Sequence, residues 1–148
     1  MKKSIVIAAI LLIGIGFNVI AGDAPACYVK VGDKVYFGEQ LKIGLINTKI
    51  IKEDGTVYKF PNKQVDSYLK GSKLYMLLPV VDKHYNTTEN VMMEYVASRS
   101  GLKLFRYYNG EIGKNVSEYQ IFKGGEIYLR IDNDNAENIL PFFGIIVF

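Results

Sequence analysis

The stretch YQIFKGGEIYLRI, from Tyr119 to Ile131, decides the fold class of this chain. Two alternating runs rich in β-branched and aromatic residues flank a pair of glycines, which supply the positive φ angles that a two-residue primed turn demands. The pattern therefore predicts a β-hairpin, and a turn of this length fixes the register. The expected cross-strand pairs are Phe122 with Ile127, Ile121 with Tyr128, Lys123 with Glu126, and Tyr119 with Arg130.

This predicted hairpin has an apolar face and a mixed face. The apolar side chains are Phe122, Ile127, Leu129 and Ile131, and the mixed face carries Tyr119, Lys123, Glu126, Tyr128 and Arg130. A tyrosine ring beside a guanidinium can stack on a sugar ring or on a partner's side chain. Tyr119, Tyr128 and Arg130 are accordingly the candidate binding residues. The alternative is that this face lies beneath a second layer, where the same residues have a structural role.

Turn signals recur along the chain between other alternating runs. Gly32-Asp33 and Asp54-Gly55 each separate two β-rich stretches, which predicts two more hairpins. Another turn is expected at residues 109–110, followed by a polar loop to about Ser117.

Three segments have less regular patterns. Residues 41–50 predict one half-buried strand with a candidate bulge at Gly44. Residues 62–70 suit either a short helix or an irregular segment. Residues 74–81 predict a hydrophobic strand interrupted by Pro79, which favours an edge position or a strand end because proline donates no ladder hydrogen bond.

Residues 91–108 decide between a mainly β fold and a mixed one. A helix over residues 89–98 would have to stop against a strand that begins at Leu102. A hairpin explains more of the pattern, and it is favoured, although residues 91–98 remain open between strand and helix. In that hairpin Arg99, Ser100 and Gly101 form the loop, Val96 pairs with Leu104, and Glu94 pairs with Arg106.

The C-terminal residues predict one helical turn and a last strand. Asp134 or Asn135 is placed to accept hydrogen bonds from the first free amides, and Pro141 limits the helix. The final residues 144–148, GIIVF, are apolar throughout, which is typical of a strand buried in a sheet.

Together these signals predict a mainly β, antiparallel domain of about eight or more strands. The expected architecture is a sandwich or a partly open barrel of hairpins with a short helix near the C-terminus. An α+β arrangement is the alternative.

The N-terminus has the tripartite form of a secretory signal peptide. Lys2 and Lys3 precede an apolar run, and small residues follow it. We expect cleavage after Ala21, so that residues 1–21 are the signal and residues 22–148 form a single domain. A transmembrane anchor is the less favoured reading, because the apolar run is short for a span of about 20 residues.

Export places the mature chain in the periplasm or outside the cell. A lipoprotein anchored through Cys27 is a disfavoured alternative, because Pro25 and the nearby Asp23 fit a lipidation motif poorly. As the single cysteine of the chain, Cys27 forms no intramolecular disulfide, and burial of a small side chain in a first strand is the expected role.

The charge of the mature chain excludes a nucleic-acid partner on electrostatic grounds. The full sequence has 18 basic and 15 acidic residues and a pI of about 8.8. The predicted signal removes two lysines and no acid, so the mature chain has a net charge of +1. A nearly neutral domain lacks the basic excess on which phosphate-backbone binding depends.

The sequence offers no catalytic constellation. Its single histidine, His84, lies in a polar stretch, and a pair with Cys27 would require a coincidence of the fold. His and Cys are too few for a usual zinc set, and no glycine-rich phosphate loop precedes a helix, so we expect neither a metal nor a cofactor. The 11 tyrosines suit a half-exposed sheet face that binds a glycan, a peptide or a protein surface. The predicted function is therefore a non-catalytic exported binding or structural module. A small secreted enzyme or enzyme inhibitor with a site assembled only in three dimensions is the alternative.

Three further stretches are similar to a known group of sequences. They are the turn DGTVYKFP at residues 54–61, the strand GLKLFRYY at residues 101–108 and the ending IYLRIDNDNAENILPFFG at residues 127–144. With the exported start, they resemble small uncharacterised exported proteins of Bacteroidota-type bacteria. The resemblance implies export and a β-rich domain, and it implies no activity and no catalytic residue.

Overall fold

The computed structural model describes residues 26–108 and 117–147, most of which lie in strands. The strands are β1 (Cys27–Val31), β2 (Lys34–Gly38), β3 (Gln40–Ile43), β4 (Asn47–Ile51), β5 (Val57–Pro61), β6 (Ser67–Lys70), β7 (Lys73–Val81), β8 (Thr87–Arg99), β9 (Leu102–Tyr108), β10 (Ser117–Lys123) and β11 (Glu126–Ile131). A short helix, α1 (Ala136–Ile139), follows near the C-terminus. The prediction of a mainly β fold with a short C-terminal helix is confirmed. The signal peptide and the turn expected at residues 109–110 lie outside the described residues.

The strands form two antiparallel sheets that pack together at one end. The larger sheet has the order β11-β10-β9-β8-β7-β6-β1-β2, and the smaller has the order β3-β4-β5. Between them lies a core of Cys27 and Val29 from the larger sheet with Leu41 and Ile50 from the smaller, and Val65 from the connecting segment. This end of the molecule is a sandwich, and neither sheet closes into a barrel.

The hairpin that opened the sequence analysis is present, but its predicted register holds for only part of its length. Phe122 pairs with Ile127 and Lys123 with Glu126, as expected, and both glycines of the turn have positive φ. Beyond Phe122 the register shifts by one, so that Ile121 pairs with Leu129 and not with Tyr128. Tyr128 is thus the extra residue of a β-bulge, which the alternating sequence did not signal.

A second bulge lies in the hairpin of β8 and β9. Glu94 pairs with Arg106 as predicted, which settles residues 91–98 as strand, but Leu104 pairs with Ala97 and not with Val96. The expected three-residue loop is shorter, because Arg99 pairs with Leu102 and only Ser100 and Gly101 turn the chain, both with positive φ. A shorter loop requires an extra residue in the strand, and Val96 is that residue.

Two other expectations for strands need correction. Residues 41–50 are not one strand with a bulge at Gly44, because β3 ends at Ile43 and β4 begins at Asn47 in a hairpin. Residues 62–70 form a single 3₁₀ turn at Asn62–Gln64 and then β6, so neither the short helix nor the irregular segment that the sequence left open describes Ser67–Lys70. The two hairpins predicted at Gly32-Asp33 and Asp54-Gly55 are confirmed.

The tail keeps its helical turn but lacks the predicted last strand. Asn135 is the N-cap residue of the helix, but its side chain makes no capping hydrogen bond. The carboxylate of Asp132 instead accepts hydrogen bonds from the backbone amides of Asp134 and Asn135, at 3.0 and 3.3 Å. Residues 145–147 are not in a strand, and the Ile146 side chain is exposed. Among the described residues, no helix has the length and apolar character to cross a membrane.

The larger sheet is curled into a roll, and the side chain of Gln120 links the two strands that the roll brings together, β7 and β10. Strand β6 pairs with β7 only as far as Met76, so the part of β7 after Met76 has no neighbouring strand on that side. Because proline donates no ladder hydrogen bond, Pro79 fits at this free edge, although β7 is a central strand before Met76. Gln120 of β10 is fully buried, and its side-chain amide donates to Pro79 O at 2.8 Å and accepts from Val81 N at 2.9 Å. Because β10 and β7 are separated by two strands, these bonds require the sheet to curl back on itself.

The roll encloses an apolar cluster. Its buried members are Val80, Met93, Phe105, Tyr107 and Phe122, from strands β7 to β10. A third cluster lies on the opposite face, where Leu140 packs against Leu104, Ile121 and Ile131. Both faces of strands β9 and β10 therefore contribute side chains to an apolar cluster.

Replacing Gln120 tests whether its side chain stabilises the rolled sheet. We expect Gln120→Met, which keeps the side-chain length, to leave Pro79 O and Val81 N buried without partners, at a cost of about 1–3 kcal/mol for each. Urea unfolding measures the loss. The matched control is Gln40→Met on the exposed surface of β3, for which we expect a change within about 0.5 kcal/mol. Equal stabilities of the two variants would contradict the role given to Gln120.

Candidate functional site

A continuous cross-strand row of polar and aromatic side chains lies on the outer face of the rolled sheet. From β6 to β10 the row consists of Tyr68, Tyr75, Glu94, Arg106 and Tyr119, each paired directly with the next. We call it the tyrosine–arginine row. Adjacent strands are about 4.8 Å apart, so the row extends over roughly 19 Å.

The ends of the row lie under two different covers. Tyr68 packs against the core beneath the smaller sheet, and Tyr119 packs against the cluster formed by the C-terminal segment. Between the covers, Tyr108 and Leu77 on the same face are exposed by 60% and 37%. The Glu94 side chain in the middle of the row is only 12% exposed, whereas Lys73 and Arg106 beside it are 55% and 28% exposed, so a ligand meets these two cations first.

The aromatic end of the row is a stacked tyrosine pair. The ring centroids of Tyr68 and Tyr75 are 4.7 Å apart with an interplanar angle of 23°. Burial raises the pKa of Tyr68 to about 12, with further contributions from Tyr75 and from the negative charge of Glu94. Tyr68 therefore keeps its hydroxyl proton at neutral pH. The two rings stack on one another, so each ring covers a face of its neighbour.

The centre of the row is an ion network. Glu94 Oε2 lies 2.9 Å from Arg106 Nη2, and Glu94 Oε1 lies 3.2 Å from Lys73 Nζ. Burial alone raises the pKa of Glu94, but the hydrogen bonds and positive charges of Arg106 and Lys73 outweigh it, so the net pKa is lowered. The carboxylate is ionised at neutral pH and has a cation on each side.

Arg106 contributes more than its bond to Glu94. Its guanidinium carbon lies 6.0 Å from the centre of the Tyr108 ring, at the limit of a cation–π contact. Its Nε atom is buried without a hydrogen-bond acceptor among the described residues, while the remainder of the side chain is partly exposed. The hydrogen bond to Glu94 is the main cause that raises the pKa of Arg106, so the side chain stays charged.

The structure separates the three residues predicted as a binding face. Tyr119 belongs to the row, where it pairs with Ile131 and not with Arg130. Arg130 pairs with Gln120 and lies on the opposite face, near enough to Tyr107 to influence that hydroxyl. Tyr128 occupies the bulge and is 56% exposed, with Lys123 Nζ at 5.9 Å from its ring. The bulge therefore breaks up the face that uninterrupted alternation predicted.

Sequence reasoning found one pair of the row and missed the rest. The Glu94–Arg106 pairing followed from the predicted hairpin, and Tyr75 lies in the predicted strand over residues 74–81, but Tyr68 lies in a segment that was predicted as a short helix or as irregular. Gly71-Ser72 between two β-rich runs was a turn signal that could have revealed their pairing.

The residues considered for catalysis lie apart from this row. Cys27 is buried in the core between the sheets, where its Sγ donates to Gly38 O at 3.1 Å and burial raises the pKa of the thiol. His84 lies on the exposed loop between β7 and β8, with its backbone amide bonded to Asp82. No group of three or more His, Cys, Asp or Glu side chains with metal-binding geometry occurs in residues 26–108 and 117–147.

Comparisons with known proteins add no relative: no family model matches the sequence, and no curated protein or solved structure is significantly similar to it.

The lowered pKa of Glu94 makes a prediction about acid stability. A carboxyl group with a lowered pKa in the folded state stabilises the fold above its ordinary pKa, and this stabilisation is lost as the pH falls. We expect Glu94→Gln to be less stable than the natural chain at neutral pH, because Arg106 and Lys73 lose their counter-charge. The difference should shrink below about pH 4, where the natural carboxylate becomes protonated.

Urea unfolding at a series of pH values measures this difference. Glu89→Gln is the matched control, since Glu89 is an exposed residue on the same strand. A loss of stability in Glu94→Gln that stays constant from neutral to acid pH would show that the side chain acts through packing and not through its charge.

Proposed function

We propose that the protein is a non-catalytic exported binding module and that the tyrosine–arginine row binds a glycan. The observation that carries the proposal is the unbroken pairing of Tyr68, Tyr75, Glu94 and Arg106 across four adjacent strands. This places a stacked aromatic pair directly beside a charged hydrogen-bonding centre.

Each part of the row matches a feature of a sugar chain. The apolar face of a pyranose ring packs against an aromatic ring, and stacking on Tyr68 holds the ring of the partly exposed Tyr75 in a fixed position. Sugar hydroxyls both donate and accept hydrogen bonds, and the row offers donors on Lys73 and Arg106 and acceptors on Glu94. The ion network holds these groups in place before a ligand arrives, which reduces the entropy lost on binding.

The part of the row between its covered ends supports a chain-like ligand. Tyr75, Glu94 and Arg106 lie on three adjacent strands and span about 10 Å. Lys73, Glu94 and Arg106 together carry a net charge of +1, so this centre suits neutral sugars and sugars with a carboxylate. A short segment of a polysaccharide fits this surface.

Export remains part of the proposal on the strength of the N-terminal sequence. The basic start, the apolar run and the small residues at the predicted cleavage position support it. The similarity to exported β-rich proteins of Bacteroidota-type bacteria supports the same location.

A conservative substitution in the row tests the binding function. Screening against immobilised hexose and hexuronate oligosaccharides, followed by calorimetric titration of those retained, gives a dissociation constant. We expect Tyr75→Leu to weaken it about tenfold, or about 1.4 kcal/mol, because leucine fills the space but lacks the aromatic face and the hydroxyl.

The control for this experiment is Tyr128→Leu. Tyr128 is an exposed tyrosine of the same sheet that lies outside the row, so its replacement should leave the dissociation constant unchanged. Loss of binding in Tyr128→Leu but not in Tyr75→Leu would place the ligand on the hairpin predicted from sequence. Absence of any oligosaccharide binding would count against a glycan ligand.

A further inference from the structure

The hairpin between β3 and β4 ends in two apolar residues that project into solvent. The loop consists of Leu45 and Ile46, whose side chains are 101% and 74% exposed, and Ile43 just before it is 41% exposed. Single exposed apolar residues are ordinary on a protein surface, but a contiguous group at a protruding tip marks an interaction site.

The turn itself does not need these residues. Two-residue hairpin loops favour glycine, asparagine or aspartate with positive φ, and neither Leu45 nor Ile46 has a positive φ. The turn is instead held from outside by Asn62, which donates from Nδ2 to Gly44 O and from its backbone amide to Ile46 O, each at 2.8 Å. The tip is thus fixed in place by Asn62, and its apolar composition has no structural reason within the hairpin.

A row of three lysines lies behind the tip on the outer face of the smaller sheet. Lys42 pairs with Lys49, and Lys49 pairs with Lys59, so like charges stand side by side on three strands. All three are exposed, and none of them forms a salt bridge within the described part of the chain. Like charges directly opposite each other destabilise a sheet, so the row imposes a cost on the folded protein.

From these two features we infer that the smaller sheet docks on an anionic membrane surface. The side chains of Leu45 and Ile46 enter the boundary between headgroups and acyl chains, and Lys42, Lys49 and Lys59 contact the lipid phosphates. Apolar burial and attraction to anionic lipids are the two contributions that hold peripheral proteins on membranes.

The spacing of tip and lysines suits the dimensions of a bilayer. Lys42 and Lys49 are each three residues from the tip, which is about 10 Å along a strand. The headgroup layer on each side is about 5–7 Å thick, and a lysine side chain is long enough to reach from the strand to the phosphates. A tip inserted to the acyl boundary therefore leaves the lysine ammonium groups at phosphate level.

Neither feature alone identifies the partner, but their combination does. A soluble polyanion explains the lysine row and leaves the apolar tip in water, whereas an apolar protein groove explains the tip and leaves the lysines without counter-charge. An anionic bilayer offers acyl chains to the tip and phosphates to the lysines in one orientation of the protein. This inference concerns the smaller sheet and is independent of the glycan proposal for the tyrosine–arginine row.

Co-sedimentation with lipid vesicles tests the inference. The mature chain should bind vesicles that contain phosphatidylglycerol and should bind vesicles of pure phosphatidylcholine at least tenfold more weakly. Replacing the lysine row with glutamine (K42Q, K49Q, K59Q) should weaken binding roughly a hundredfold, since each lysine near an anionic surface contributes about fivefold. Leu45→Ser with Ile46→Ser should weaken binding about tenfold or more.

Two matched controls separate this site from general effects. Replacing three exposed lysines elsewhere (K34Q, K70Q, K83Q) changes the net charge equally and should leave most of the binding intact. Ile146→Ser removes an isoleucine with the same 74% exposure as Ile46 and should have no effect. Circular dichroism confirms that each variant is folded.

Two outcomes overturn the inference. The first is failure of the natural chain to bind anionic vesicles. The second is binding that depends on the lysine row but is unchanged in the tip variant and equally tight to soluble heparin, since that result identifies a polyanion site and not a membrane surface.

Discussion

The buried amide of Gln120 is the interaction on which the rest of the structure depends. Strand β7 loses its neighbour β6 after Met76, and a free edge inside the molecule would leave backbone groups without partners. Gln120 supplies both a donor and an acceptor to that edge, at Pro79 O and Val81 N, and so takes the place of a neighbouring strand. The sheet can satisfy this bond only by rolling, which gives it one enclosed face and one outward face.

The two faces then have different roles. The enclosed face buries Met93, Phe105 and Phe122 and supplies most of the apolar core of this end. The outward face is covered at its ends by the smaller sheet and by the C-terminal segment, and the uncovered middle carries Glu94 and Arg106 between tyrosines. Because strands β7 to β9 are fixed by the roll, the charged groups are held in position without a ligand.

Sequence patterns predicted most strands and turns, but not the hairpin of β3 and β4 and not which face a side chain occupies past a bulge. The pair Phe122–Ile127 follows from turn chemistry, whereas the predicted pair Glu94–Arg106 is present only because the shorter loop and the extra residue Val96 offset each other. Past the extra residues Tyr128 and Val96, each side chain lies on the opposite face from the one that alternation predicts. The side-chain hydrogen bonds of Gln120 join it to residues far away in the sequence, so the local pattern does not distinguish Gln120 from any other polar residue of a strand. The net charge of the chain also does not reveal that the smaller sheet is basic. Residues 40–64 hold five lysines and two carboxylates, but the chain as a whole is nearly neutral.

Amide hydrogen exchange followed by NMR tests the central claim, which is that Gln120 closes the free edge of β7. Val81 has no neighbouring strand on that side, so its amide proton should exchange rapidly if the edge is open to water. The structure predicts instead that the Val81 amide exchanges as slowly as that of Met93, and that the Gln120 side-chain amide protons are protected and show nuclear Overhauser effects to residues 79–81. Rapid exchange at Val81, with a freely rotating Gln120 side chain, would contradict the account.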